Sequence, residues 1–160
     1  MRWMMLDRIT EVVRGESARG IKCVTLTDEV LHDHFPDHPI LPGVLVIEAA
    51  AQLAGFLVEV SLNTPGAEAP PRRAVLVQVD KVKFHRPSIP GDVLTLAARL
   101  TGTLEGAARV EVEVDVAGEK AMRGTLTFML EAVDSEKVHE QRRSLYRLWT
   151  RGLGTEVWIP

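Results

Sequence analysis

Pro42-Gly-Val-Leu-Val-Ile-Glu-Ala-Ala-Ala-Gln-Leu-Ala-Gly-Phe-Leu-Val-Glu-Val-Ser-Leu62 is among the most apolar runs of the chain. Proline suits a first helical turn because its missing N–H has no partner there in any case. The run therefore predicts a helix from Val44 to about Leu62, led in by Pro42 and Gly43. It is apolar around most of its circumference, which marks a central helix rather than a surface one. Ala49, Ala50, Ala51, Ala54 and Gly55 let other backbone approach closely. The segment is short for a membrane span and is interrupted by Glu48, Gln52, Gly55 and Glu59, so no transmembrane segment is expected.

What surrounds such a helix is read from the segments on either side. Arg19 to Thr27 is β-favouring. After a Pro/Gly linker from Asn63 to Pro71 come Ala74 to Phe84, Val93 to Leu104, Ala107 to Val116 and Ala121 to Leu130. Glu105-Gly106 and Ala117-Gly-Glu-Lys120 mark turns between the last three. Strands so closely spaced form an antiparallel sheet, and the arrangement that buries both partners is a curved sheet wrapped around the helix. The class is α+β, with residues 1–133 as the main domain.

Residues 134–160 form an extension. Asp134 or Ser135 is placed to cap a helix, and Val138, Arg142, Leu145 and Trp149 share one face at helical spacing. That stripe is expected to pack on the body. Lys137, Arg142, Arg143, Arg147 and Arg151 crowd the segment and leave open the docking of an acidic partner.

Composition narrows the class. The chain has 160 residues, 46% apolar and 26% charged, a single-domain globular profile. A net charge of −3 argues against nucleic-acid binding. The single cysteine, Cys23, rules out an internal disulfide and Cys-based metal clusters and reads as a small buried core residue. Met1 to Asp7 carries no long apolar stretch of a secretory signal, so a cytoplasmic protein is expected.

The chemistry-bearing stretch lies just ahead of the helix. His32, His34 and His38 stand in a loop stiffened by Pro36 and Pro39. Their spacing fits no zinc pattern, and no metal is expected. His85 and His139 read as solvated. Inside the helix, Glu48 and Gln52 lie four residues apart on one face. A buried carboxylate needs compensation, so Glu48 is either a hydrogen-bonded structural acid or a chemical one. A loop histidine exchanges protons near neutrality. The helix start at Gly43 offers a free N–H and the positive end of the dipole to a carbonyl oxygen gaining charge. Base, acid and oxyanion donor together suit proton abstraction beside a thioester carbonyl and protonation of a leaving hydroxyl.

His34-Phe-Pro-Asp-His-Pro-Ile-Leu-Pro-Gly-Val-Leu-Val-Ile-Glu-Ala-Ala-Ala-Gln52 resembles the signature of the FabZ-type 3-hydroxyacyl-[acyl-carrier-protein] dehydratases. Met5-Leu-Asp-Arg-Ile-Thr10 and Val79-Asp-Lys-Val-Lys-Phe-His-Arg-Pro-Ser-Ile-Pro-Gly-Asp92 resemble two further segments of that family, and the likeness spans residues 2–131. The resemblance implies the hotdog fold. It implies reversible dehydration of (3R)-3-hydroxyacyl thioesters on acyl carrier protein, without a cofactor. It assigns His34 as catalytic histidine, Glu48 as catalytic acid and the Gly43 N–H to the thioester oxygen. Ile40 falls where a backbone carbonyl steadies the histidine ring. It further implies a homodimer with histidine and acid of one site on different subunits, and in some members a hexamer.

Two features depart from the family: Asp37 stands where a Gly is usual, and the extension has no counterpart in a minimal member. An acyl tunnel is expected beside Phe56 and Leu57. Arg72, Arg73, Lys81, Lys83, Arg86 or the tail arginines are candidates to receive an acidic carrier. The rival readings are a hotdog thioesterase, which would not need His34, and a non-catalytic acyl-binding or assembly subunit.

Overall fold

The computed structural model describes residues 4–160. Met1 to Trp3, the start of the segment read as lacking a secretory signal, lie outside the described residues. Strands β1 (Arg8–Val13) and β2 (Ser17–Cys23) precede a 3-10 turn at Glu29–Leu31 and helix α1 (Gly43–Leu62). Then come β3 (Arg73–Phe84), β4 (Val93–Leu104), β5 (Ala107–Val116), β6 (Glu119–Glu131) and α2 (Glu136–Thr150). The sheet runs β1-β2-β4-β5-β6-β3, antiparallel throughout. Helix α1 touches β2, β3, β4, β5 and β6, so the sheet wraps it, the hotdog arrangement. Its apolar length is enough to cross a membrane, yet 72% of it is buried inside the fold as the core helix.

Period-two patterning builds the wrapping face. Leu94, Leu96 and Ala98 of β4 and Val110, Val112, Val114 and Val116 of β5 point inward and are at most 3% exposed. Arg99 pairs with Glu111, and Lys120 with Glu113 at 3.0 Å, on the outer face. On α1, Leu53, Ala54, Phe56, Leu57 and Val58 are fully buried. The residues expected beside an acyl tunnel, Phe56 and Leu57, are thus packed inside the chain. Arg14 donates to the Val60 and Asn63 carbonyls, 2.6 and 2.7 Å, and closes the C-terminal end of the helix.

Gly20 on β2 has a steric reason to be glycine. A Cβ there would lie 2.8 Å from the Arg8 carbonyl oxygen and 3.0 Å from Leu6, between strand and helix. Gly20→Ala is expected to cost about 1–3 kcal/mol through overpacking. It should be read as a lower urea midpoint with an unchanged slope.

Three expectations need correction. The β2 register turns Ala18, Gly20 and Lys22 inward, so Cys23 points outward and is exposed rather than buried. Strand β1 escaped the reading of the N-terminal segment because a bulge between Ile9 and Glu11 breaks its alternation, leaving Thr10 and Glu11 both exposed. On α2 Trp149 is buried and Leu145 packs on the core as expected, but His139 and Tyr146 complete the buried face while Val138 is 36% exposed. Ser135 does cap the helix, accepting from the Val138 N–H.

The exposed edge strand of the sheet is β3. Val75, Leu76, Val77 and Val79 along it are 36–54% exposed. The opposite edge, β1, is covered by α2. One long apolar edge is therefore left for pairing.

Candidate active site

The loop bearing His34 closes on itself. The Ile40 N–H donates to the His34 carbonyl at 2.7 Å, and Phe35 and His38 exchange backbone hydrogen bonds at 3.1 and 2.9 Å. Leu41 N–H donates to the Ser88 carbonyl at 2.8 Å, which ties the loop to the segment after β3. The His34–Phe35 peptide is cis, and the two rings stack with centroids 4.3 Å apart. Asp37, where the family usually has Gly, sits at φ +60°. That left-handed region favours glycine but admits aspartate, so the turn survives the exchange. Ile40 thus meets His34 through its own N–H and the His34 carbonyl, a contact to the backbone rather than to the ring. His34 is half-buried, whereas His32 and His38 are exposed. Among the described residues no group of three or more His, Cys, Asp or Glu side chains is placed to hold a metal ion.

Helix α1 begins directly after this loop. Its N-cap is Pro42, no side chain caps it, and no acidic residue lies in its first turn. The first backbone hydrogen bonds come from Leu45 and Val46 back to the Pro42 carbonyl, so the start at Gly43 presents open N–H groups. A cavity of about 530 Å³ opens at this point, lined by Ile40, Gly43, Val46, Phe84, His85 and Pro87. A second of about 630 Å³ lies across Leu41, lined by Met5, Val30 and Leu45 among others.

Glu48 and Gln52 share a face, as their spacing requires. The Met5 N–H donates to Gln52 Oε1 at 2.9 Å, which turns the amide so that Nε2 donates to Glu48 Oε1 at 2.8 Å. The carboxylate is thereby oriented and half-buried. Within one chain His34 and Glu48 are not in hydrogen-bond or ion-pair contact: the histidine stacks on Phe35 and the acid is held by Gln52.

Glu59, on the same helix, is handled differently. It is fully buried, paired with Arg73 Nη1 at 2.7 Å, and accepts from the Ala74 N–H at 3.0 Å. Arg73 also donates to His139 Nδ1 and to the Pro160 carbonyl, and His139 Nε2 donates to the Val133 carbonyl at 2.8 Å. The solvated role expected of His139 and the carrier-binding role expected of Arg73 are therefore both corrected: 3% and 2% exposed, they join the extension to the body. Tyr146 stacks edge-on against Phe56 with centroids 4.9 Å apart. Its hydroxyl, among the described residues, is the buried side-chain polar atom without a hydrogen-bond partner. Burial, and then the Glu59 charge, hold that phenol well above its ordinary pKa.

A family profile described as "FabA-like domain" matches residues 1–140. A 3-hydroxyacyl-[acyl-carrier-protein] dehydratase FabZ of Natranaerobius thermophilus is 41% identical over 127 residues, covering 79% of this chain and 86% of the relative. The chain belongs to the FabZ dehydratase family. FabZ dehydratases of Clostridioides difficile and Acetivibrio thermocellus are 34% and 35% identical, covering 80% and 84% of this chain and 87% and 88% of theirs. Among solved structures, smu.793 of Streptococcus mutans bound to acetyl-CoA aligns with TM-score 0.64 at 17% identity, covering 84% of this chain and 96% of its own. A hypothetical thioesterase of Streptococcus pneumoniae with coenzyme A aligns with TM-score 0.61 at 18% identity, covering 80% and 88%. Both share the hotdog fold. The FabA-like profile ends within α2, so most of the extension lies beyond it.

Proposed function

We propose that this chain catalyses the reversible dehydration of (3R)-3-hydroxyacyl thioesters, carried on acyl carrier protein, to trans-2-enoyl thioesters in fatty-acid biosynthesis in the cytoplasm. The observation that carries the reading is the order of parts along one short stretch. A closed histidine loop runs straight into an uncapped helix start, and an oriented carboxylate stands further along that helix. The thioester oxygen accepts from the Gly43 N–H, and the helix dipole favours charge gathering there in the transition state. His34, steadied in this reading by the Ile40 carbonyl, removes a proton from C2. The electron pair forms the C2–C3 double bond, and the hydroxyl leaves C3 with a proton from Glu48, released as water. His34 can return its proton in place of Glu48. No cofactor is needed, since the thioester itself acidifies the C2 proton.

A homodimer with shared sites fits this arrangement. The apolar edge of β3 invites a second copy, and Val44 on α1 is likewise exposed, at 70%. Glu48 of the second copy would then face His34 of the first. Residues 134–160 are an addition to a catalytic unit of residues 1–133. For the carrier, Arg86 lines the cavity beside Gly43 and Phe84, where it also pairs with Asp92, and Lys81 and Lys83 stand just before it on β3. Arg72 is engaged with the Leu130 carbonyl.

The test gives the purified chain a (3R)-3-hydroxyacyl thioester on carrier protein and, in parallel, a saturated acyl thioester. Appearance of the enoyl product with no release of free thiol supports the dehydratase. Thiol release from the saturated substrate would favour a thioesterase. Neither reaction would leave an acyl-binding subunit.

A further inference from the structure

Phe84 is half-exposed at the end of the edge strand, and one edge of its ring lies against Gly43. A Cβ built on Gly43 would come 2.8, 3.1 and 3.2 Å from Phe84 Cζ, Cε1 and Cε2. The edge of the ring therefore covers the start of α1, the point at which the thioester oxygen is read to bind. We propose that Phe84 is a specificity-determining residue that keeps this pocket too flat for an acyl group branched at C2. The proposal rests on the dehydratase reading of the Gly43 N–H.

The aim of the ring is built into the sheet. Asp80 pairs with Thr125, but Lys83 pairs with Arg123, so β3 carries one residue more than β6 across this stretch. In an unbroken ladder Lys83 would stand opposite Met122. The bulge puts Phe84 there instead. Paired residues of adjacent strands point to the same face, and Met122 is fully buried in the core beside α1, so the bulge turns an aromatic ring toward the helix in place of an ammonium. Lys81, within the bulge, adopts φ +51°. Gly124 makes the space: a Cβ there would lie 2.7 Å from Val82 Cγ2. Beyond the ring, the His85 N–H donates to the Ala121 carbonyl at 2.8 Å and fixes the strand end.

The steric consequence follows from the thioester's own geometry. C2 is bonded to the carbonyl carbon whose oxygen accepts from Gly43, so a methyl group on C2 approaches the space next to Gly43. The ring that fills the side-chain position of Gly43 also bounds the space beside its N–H, and in the proposal this limits the room for such a methyl. Excluding one methyl group in this way is worth about 10–200-fold in kcat/KM.

The experiment compares dehydration of (3R)-3-hydroxybutyryl and (3R)-2-methyl-3-hydroxybutyryl thioesters by the wild type, Phe84→Ala and Phe84→Leu. Melting temperature and light-scattering mass of each variant establish fold and assembly. The wild type is expected to prefer the unbranched substrate by about 100-fold, within the range for one methyl group. Phe84→Ala should cut that preference by about 10-fold or more, mostly through a lower KM for the branched substrate, with Phe84→Leu in between. A wild type indifferent to the methyl group, or variants that lose both substrates in equal proportion, would overturn the role given to Phe84. A wild type inert on both substrates would overturn the dehydratase reading itself.

Discussion

Replacing Glu48 by Gln, or His34 by Ala, is expected to lower kcat/KM for dehydration by about 10²–10⁴-fold each. Thermal stability should stay within about 1 kcal/mol of the wild type. The two halves of this expectation come from the same geometry. Glu48 is half-buried, accepts a hydrogen bond from Gln52 and, among the described residues, makes no ion pair, so its glutamine analogue keeps the shape and most of the contacts. His34 is held through its backbone carbonyl and by stacking on Phe35, neither of which gives the imidazole a large part in stability. What both lose is proton transfer. The double variant should fall little below the weaker single one, because groups that act in one step are not additive. Retention of more than about a tenth of the activity in either variant, well above the span for acid–base groups, would remove that residue from the mechanism.

Glu59→Ala is expected to do the reverse. Removing this carboxylate leaves Arg73 buried without its counter-charge and the Ala74 N–H without its acceptor. Breaking a buried pair from one side costs about 3–5 kcal/mol. In a chain of this size that lowers Tm by roughly 6–20 °C. Arg73→Ala should behave similarly, because Arg73 also holds His139 and the Pro160 carbonyl. The extension is then expected to become the first site of limited proteolysis, a readout that separates its release from a general loss of core. Tyr146→Phe is the control. It removes only an unpartnered hydroxyl and should leave Tm close to the wild type. A Tm within about 2 °C of wild type for Glu59→Ala, far less than breaking such a pair costs, would show that the pair does not hold the extension.

Two acids on one apolar helix thus carry opposite duties, and the sequence distinguished only one of them. Glu48 was legible because Gln52 follows it at helical spacing and a histidine loop precedes it. Glu59 gave no such sign: its partners Arg73 and His139 come from a strand and from the extension, and only the tertiary fold brings them together. The same reason explains Arg73, counted as a surface charge until its burial was seen. The helix and the β4–β5 hairpin were readable to within a residue because their apolar runs are long and bounded by turn residues, even though a bulge shifts the register between Leu100 and Gly102. Where bulges interrupt it, in β1 and in the second half of β3, the pattern misleads. Strand β1 escaped notice in that way, and Phe84 passed as an ordinary strand residue. Cys23 was placed on the wrong face by composition, since strand register rather than residue type decides which side it takes. On α2 the expected stripe held at Trp149 and Leu145 but missed His139 and Tyr146, because a short helix with many arginines offers several plausible stripes.

The most direct test of the shared-site dehydratase is subunit complementation. His34→Ala and Glu48→Gln, each inactive alone, are co-refolded in equal amounts and assayed for dehydration. If one site takes its histidine and acid from different copies, half of the dimers are mixed and one of their two sites is intact, so about a quarter of the wild-type activity returns. If the mixture stays as inactive as its parts while light scattering shows mixed dimers, both groups serve within one chain and the account of the site is wrong.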